Sequence, residues 1–171
     1  MAERKAEEIF KEFKEHSISE FFKKNRQMLG YSGKVRSLVT VVHEYTSNSL
    51  DAAEEAGVLP DISVEIKELG EEKYRITVSD NGPGIPNKFV GKALATILAG
   101  TKFHRYVQQR GQQGIGAAGC TLFSQMTTGQ PISVKSSTGA SKAYSCKIAI
   151  DTMNNKPVVT EMTDLPDKFR G

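Results

Sequence analysis

The sequence predicts an α/β protein of the α+β kind: a two-layer sandwich, with helices on one face of a mixed, mostly antiparallel sheet. Three observations carry that expectation. Segments around Ile62, Tyr74, Pro131 and Lys142 alternate apolar and polar residues with period two, the mark of strands buried on one face only. The stretches between them repeat their apolar residues at helical spacing. With 171 residues, 38% of them hydrophobic and 25% charged, the chain suits one domain with a substantial core.

Each element follows in order. Residues 3–15 read as a polar amphipathic helix with Ile9, Phe10 and Phe13 on one side. A second short helix runs from Ser17 to about Leu29, anchored by Phe21 and Phe22 and ended by Gly30 and Gly33. Residues 1–33 are therefore set apart as an N-terminal helical arm or strap, ahead of a domain over 34–171. A long helix spans Lys34 to Ala56, with Gly57 as its stop. Ile62–Ile66 and Tyr74–Val78 form a hairpin across Gly70-Glu71-Glu72. Lys88 to Ala99 is a helix, and Gly100 to Gln113 a long polar loop. A helix from Ile115 to Met126 follows, then strands at Pro131–Ser137, Lys142–Asp151 and Pro157–Glu161.

Charge is segregated along this order. From Asn81 to Ile150 there is no Asp or Glu, while eight Lys or Arg occur; sixteen of the twenty acids precede residue 81. The net charge of +3 is too small to argue for nucleic-acid binding by bulk electrostatics, but a cationic stretch attracts an anion locally. Cys120 and Cys146 have no metal-ligand spacing and read as small buried residues of a reducing compartment. The charged N-terminus has no apolar core of a signal peptide, and no apolar run approaches membrane-spanning length. A cytoplasmic protein with no membrane association is expected.

Chemistry concentrates in three places. Glu44, Asn48 and Asp51 are spaced i, i+4, i+7 and share one face of the long helix. Asp80 is followed by Asn-Gly82-Pro-Gly84. Gly111-Gln112-Gln113-Gly114-Ile115-Gly116-Ala117-Ala118-Gly119 feeds a helix. Free amides at such a helix start, with its dipole, hold phosphate oxygens; a plain glycine loop between two helices is the alternative. No G-x-x-x-x-G-K-[ST] occurs. Gly114-Ile-Gly-Ala-Ala-Gly119 satisfies G-x-G-x-x-G, but no buried strand precedes it and no acid follows until Asp151, so a dinucleotide fold fails on context. His43 sits about 100° around the helix from Glu44 and reads as an exposed histidine.

Together the segments Glu44-Tyr-Thr-Ser-Asn48-Ser-Leu-Asp51-Ala, Asp80-Asn-Gly-Pro-Gly84 and Gly111-Gln-Gln-Gly-Ile-Gly116 resemble the three boxes of the GHKL ATPases, whose fold is the Bergerat fold. The finer likeness is to the B subunits of archaeal-type topoisomerase VI. It is carried by Ser19-Glu-Phe-Phe-Lys-Lys-Asn25, Asn48-Ser-Leu-Asp-Ala, Gly57-Val-Leu-Pro-Asp-Ile62, Thr101-Lys102, Arg110-Gly111 and Leu122-Phe-Ser-Gln-Met126.

The resemblance implies ATP and Mg²⁺ as ligands. Glu44 would be the general base, Asn48 the Mg²⁺ ligand and Asp80 the acceptor for the adenine amino group. Gly82 and Gly84 would let the backbone pass under the base. Thr101 and Lys102 would contact phosphates, and Gly111, Gln112, Gln113, Gly114, Ile115, Gly116, Ala117 and Ala118 would form the lid. Asp51 is read equally as a ligand or a packing residue.

The resemblance further implies a type IIB topoisomerase, an A2B2 heterotetramer with an A subunit. Its B subunits dimerise on ATP to gate passage of double-stranded DNA. That family's domain continues into another strand opening with a Gly-Thr pair and then a transducer. The 171 residues are thus expected to stop before the last strand and to be inactive alone. Two alternatives are another GHKL ATPase, such as a mismatch-repair type, and a non-hydrolysing, nucleotide-gated dimerisation module.

Overall fold

A computed structural model describes residues 18–97, 115–139, 143–166 and 169–171. Four helices and five strands lie in that range: α1 (Ile18–Asn25), α2 (Lys34–Glu55), β1 (Ile62–Gly70), β2 (Lys73–Asp80), α3 (Asn87–Ala95), α4 (Gly116–Thr128), β3 (Ile132–Ser136), β4 (Tyr144–Asp151) and β5 (Lys156–Asp164). The expected helix over residues 3–15 and the polar loop over 100–113 fall outside the described residues.

The ends of α2 explain its length. Ser37 Oγ donates to the Gly33 carbonyl at 2.7 Å and fixes the first turn. At the other end Gly57 is left-handed (φ 64°). Its N–H bonds to Glu54 O at 3.1 Å, while the Val58 N–H reaches Ala53 O at 3.0 Å. That pair of bonds satisfies carbonyls the helix would otherwise leave bare. α4 stops the same way at Gly129 (φ 70°), whose N–H bonds Gln125 O.

β1 and β2 pair antiparallel from Ile62↔Asp80 to Gly70↔Lys73. β3, β4 and β5 form a second antiparallel sheet, in that order. Among the described residues the mostly antiparallel pairing expected from the sequence holds: no pairing is parallel, and the strands form two antiparallel sheets with no ladder between β2 and β3. Gly171 touches residues at the end of β2 and at the end of β3. Its carbonyl accepts from Ser137 N–H at 2.6 Å and from Ser136 Oγ at 3.2 Å, and its backbone packs on that of Asp80.

Along β4, Tyr144, Cys146, Ile148 and Ile150 are buried, and the residues between them are half-buried. That is the one-sided burial the alternation predicts. α3 and α4 cover this face, and Leu122 of α4 is fully enclosed. The segment from α1 to Gly33 also belongs to this core: Phe22 and Tyr31 are 1% and 2% exposed. The Tyr31 ring lies 4.7 Å from that of Phe123 and 5.1 Å from that of Phe22.

Candidate functional site

α2 supplies the first side chains. Glu44 stands at its middle, its side chain 29% exposed, and its carboxylate packs on the Cα of Gly116, the first residue of α4. A Cβ built at Gly116 would overlap Glu44 Oε2 and lie 3.1 Å from Cδ. Glycine at 116 is therefore what admits the carboxylate, and the contact brings the first and third boxes together. Asn48 lies one turn beyond Glu44 on the same face and is half-buried. Asp51, another turn on, is buried at 5% exposure, which favours the packing side of its two readings. His43 is exposed as expected, although its Nδ1 comes within 4.0 Å of Glu44 Oε1.

Asp80, the last residue of β2, is held on both oxygens. Oδ1 accepts the Gly82 N–H at 2.9 Å, and Oδ2 accepts the Ser49 hydroxyl at 2.7 Å. A Cβ at Gly82 would sit 2.8 Å from Oδ1 and 3.6 Å from Ala52 Cβ, so this turn tolerates only glycine without rearrangement. Gly84 takes φ 70° and backs onto the Ser137 carbonyl, a second place where a side chain would be both strained and obstructed.

The rest of the loop is tied down from both flanks. Asn81 accepts from Asp61 N–H at 2.9 Å and donates to Leu59 O at 3.0 Å. The Ile85 N–H donates to Ser136 Oγ at 2.8 Å, and the Tyr144 hydroxyl donates to Ile85 O at 2.7 Å. Residues 80–85 form a fixed backbone shelf with a carboxylate at its head.

The start of α4 is equally constrained. Ile115, Gly116 and Ala117 are half-buried, while Ala118 and Gly119 are buried. Cys120 Sγ lies 3.3 Å from the Tyr31 hydroxyl, and Thr121 donates to Leu94 O of α3 at 2.7 Å. Burial pushes the Cys120 thiol up to about 12, and burial likewise raises the Tyr31 hydroxyl. Both are neutral structural groups at pH 7.

α2 thus meets the start of α4 through Glu44 on Gly116, and meets the loop that carries Asp80, Gly82 and Gly84 through Ser49 on Asp80; Asn48 stands on α2 between those two contacts. Thr101, Lys102, Gly111, Gln112, Gln113 and Gly114 lie outside the described residues. The sequence reading missed Ser49: it stands off the Glu44–Asn48–Asp51 face, and its partner is 31 positions away. One of several hydroxyls in Thr46-Ser47-Asn48-Ser49, it carried no signal of its own in the sequence.

Donor chemistry fits the ligands expected. Glu44, Asn48 and Asp80 offer oxygen atoms, the type Mg²⁺ and a purine amino group both require. The described residues contain no cluster of three or more His, Cys, Asp or Glu fit to hold a metal by themselves.

Residues 33–152 match the histidine kinase-, DNA gyrase B- and HSP90-like ATPase family. The chain is 51% identical over 162 residues to the B subunit of type 2 DNA topoisomerase 6 from Pyrococcus horikoshii, covering 95% of this chain and 28% of that protein. It is 53% identical over 156 residues to the protein of the same name from Thermococcus sibiricus, covering 91% of this chain and 28% of that one. To its namesake from Methanothermobacter thermautotrophicus it is 48% identical over 166 residues, covering 95% and 32%. The chain thus spans less than a third of the length of these relatives. No described helix is long and apolar enough to cross a membrane.

Proposed function

Because the chain belongs to the histidine kinase-, DNA gyrase B- and HSP90-like ATPase family, we propose that it is the ATP-binding and ATP-hydrolysing domain of the B subunit of a type IIB DNA topoisomerase. Glu44 is the general base that takes a proton from the attacking water. Asp80 accepts a hydrogen bond from the adenine amino group, and Gly82 and Gly84 keep the backbone flat beneath the base. Backbone amides of residues 111–118 hold phosphate oxygens at the start of α4, with Thr101 and Lys102 as further phosphate contacts. Asn48 would hold Mg²⁺ through its carbonyl oxygen. When bound, that ion offsets phosphate charge, so the protein's task is mainly to position and stabilise.

The observation that carries this reading is the contact of the Glu44 carboxylate with Gly116. It sets a candidate base against the helix end where phosphate would be held. The names of the relatives support the wider assignment. A cytoplasmic A2B2 enzyme with an A subunit follows, in which ATP closes two B subunits on double-stranded DNA. Residues 1–33 form the arm toward the second B subunit, its base anchored within its own chain at Phe22 and Tyr31. Residues 34–171 form the ATP-binding domain.

Glu44→Gln in the full-length polypeptide tests the assignment. ATP binding should stay close to wild type, and hydrolysis should slow by roughly 10²–10⁴-fold, the contribution of a general base. Wild-type turnover in that variant would remove Glu44 from the role.

A further inference from the structure

We propose that Ser49 is a positioning residue that makes the Asp80 carboxylate selective for an amino-bearing base edge over a carbonyl-bearing one. The inference rests on the reading of Asp80 as the base acceptor. Ser49 is 6% exposed, and its hydroxyl donates to Asp80 Oδ2 at 2.7 Å while the Gly82 N–H donates to Oδ1 at 2.9 Å.

A serine hydroxyl carries one proton, and here it is spent on Asp80. The carboxylate is thereby fixed by one donor on each oxygen, one from α2 and one from the turn after β2. An ionised carboxylate so held has acceptor capacity left and no proton to give. A base edge that meets it must therefore supply a donor, as the 6-amino group of adenine does. The 6-carbonyl of hypoxanthine or guanine brings lone pairs against lone pairs. Remove the Ser49 proton donor and one oxygen loses its tether. The carboxylate can then turn away from a carbonyl edge, and discrimination relaxes.

A mere staple between α2 and β2 would show the same two distances. The two roles differ in what they predict: a staple sets melting temperature, whereas a positioning residue sets the ratio of affinities for two bases.

The experiment titrates the full-length polypeptide with ATP and with inosine triphosphate, which replaces the 6-amino group by a carbonyl. Melting of the ligand-free protein is recorded alongside. Ser49→Ala should weaken ATP about 10-fold, the scale of one hydrogen bond to a charged group, and leave inosine triphosphate unchanged or tighter, so the ratio collapses by at least that factor. Ser49→Thr, which keeps the hydroxyl, should keep the ratio. Ser49→Cys fills the same space with a weak donor and should lower the ratio too; it serves if the alanine variant does not fold. A wild-type ratio in Ser49→Ala or Ser49→Cys, with Asp80→Ala having lost ATP affinity, would overturn the role of Ser49 alone. Intact ATP affinity in Asp80→Ala would overturn the reading of Asp80, and Ser49 with it.

Discussion

A methyl group at position 116 should separate nucleotide binding from hydrolysis. Gly116→Ala places a Cβ that overlaps Glu44 Oε2 and lies 3.1 Å from Cδ and 3.8 Å from Cγ. Carbon atoms settle at about 3.5–4.0 Å, so Cδ must retreat by about half an ångström. Oε2, already overlapped, must move by roughly 1 Å on the same contact scale. The group that yields is the free end of a flexible side chain, so the fold should accept the change.

Gly116 opens α4 and is not among the glycines of positive φ. Alanine there should stabilise by about 0.5–1 kcal/mol through the unfolded chain and helix propensity. A misplacement of about 1 Å in a reacting group costs on the order of 10²-fold in rate. Steady-state ATPase of the full-length polypeptide should therefore fall about 10²-fold, with ADP affinity near wild type and melting temperature unchanged or raised. Wild-type turnover would refute the reasoning, since Glu44 would have been displaced without consequence.

The remaining predictions concern the metal and pH. Asn48→Ala should make ATP binding insensitive to Mg²⁺, read from titrations with and without the ion; retained Mg²⁺ dependence would remove Asn48 from that role. Burial raises the Cys120 thiol from 9.0 to about 12 and the Tyr144 hydroxyl from 10.0 to about 12. The folded state therefore keeps protons that the unfolded chain releases above pH 9 to 10. Stability contributed by these groups is full below the unfolded values and is lost as pH rises toward 12. Chemical denaturation followed between pH 8 and 11 should show a falling midpoint, and a flat profile would contradict the burial of both groups.

Much of the fold was legible because its signals are local. The helical spacing and Gly57 located α2, period-two runs located the first four strands, and the Asn154-Asn155 turn located the fifth. What escaped depends on contacts distant in sequence. α3 was expected to reach Ala99, yet it ends at Ala95. Asn155, 58 positions away from Ile97, accepts from the Ile97 N–H and donates to the Ile97 carbonyl, each at 3.1 Å; the helix gives way to that side chain.

β5 was expected to end at Glu161 and runs on to Asp164. A register shift opposite Ser145/Lys147 and a left-handed Glu161 (φ 51°) let a polar stretch continue the ladder as a bulge. Lys147 Nζ reaches both carboxylate oxygens of Glu161 at 2.8 Å. Tyr31, which the sequence reading did not single out, is a core residue whose hydroxyl meets Cys120 of α4.

In the candidate site, the acids and glycines were legible from spacing and from likeness to known boxes. Their mutual contacts were not. Ser49 on Asp80 and Gly116 on Glu44 both arise where α2 meets other elements, and no periodicity encodes that.

The central claim is that these residues form an adenine-nucleotide site, and a titration of the full-length polypeptide with ATP, ADP and GTP, each with and without Mg²⁺, tests it most directly. Saturable binding of ATP and ADP is expected, with GTP far weaker and ATP affinity rising when Mg²⁺ is present. Asp80→Ala should weaken ATP and ADP alike by about 1.5–3 kcal/mol, the value of a hydrogen bond to a charged group. GTP binding as tight as ATP, or no saturable binding of any adenine nucleotide, would contradict the account.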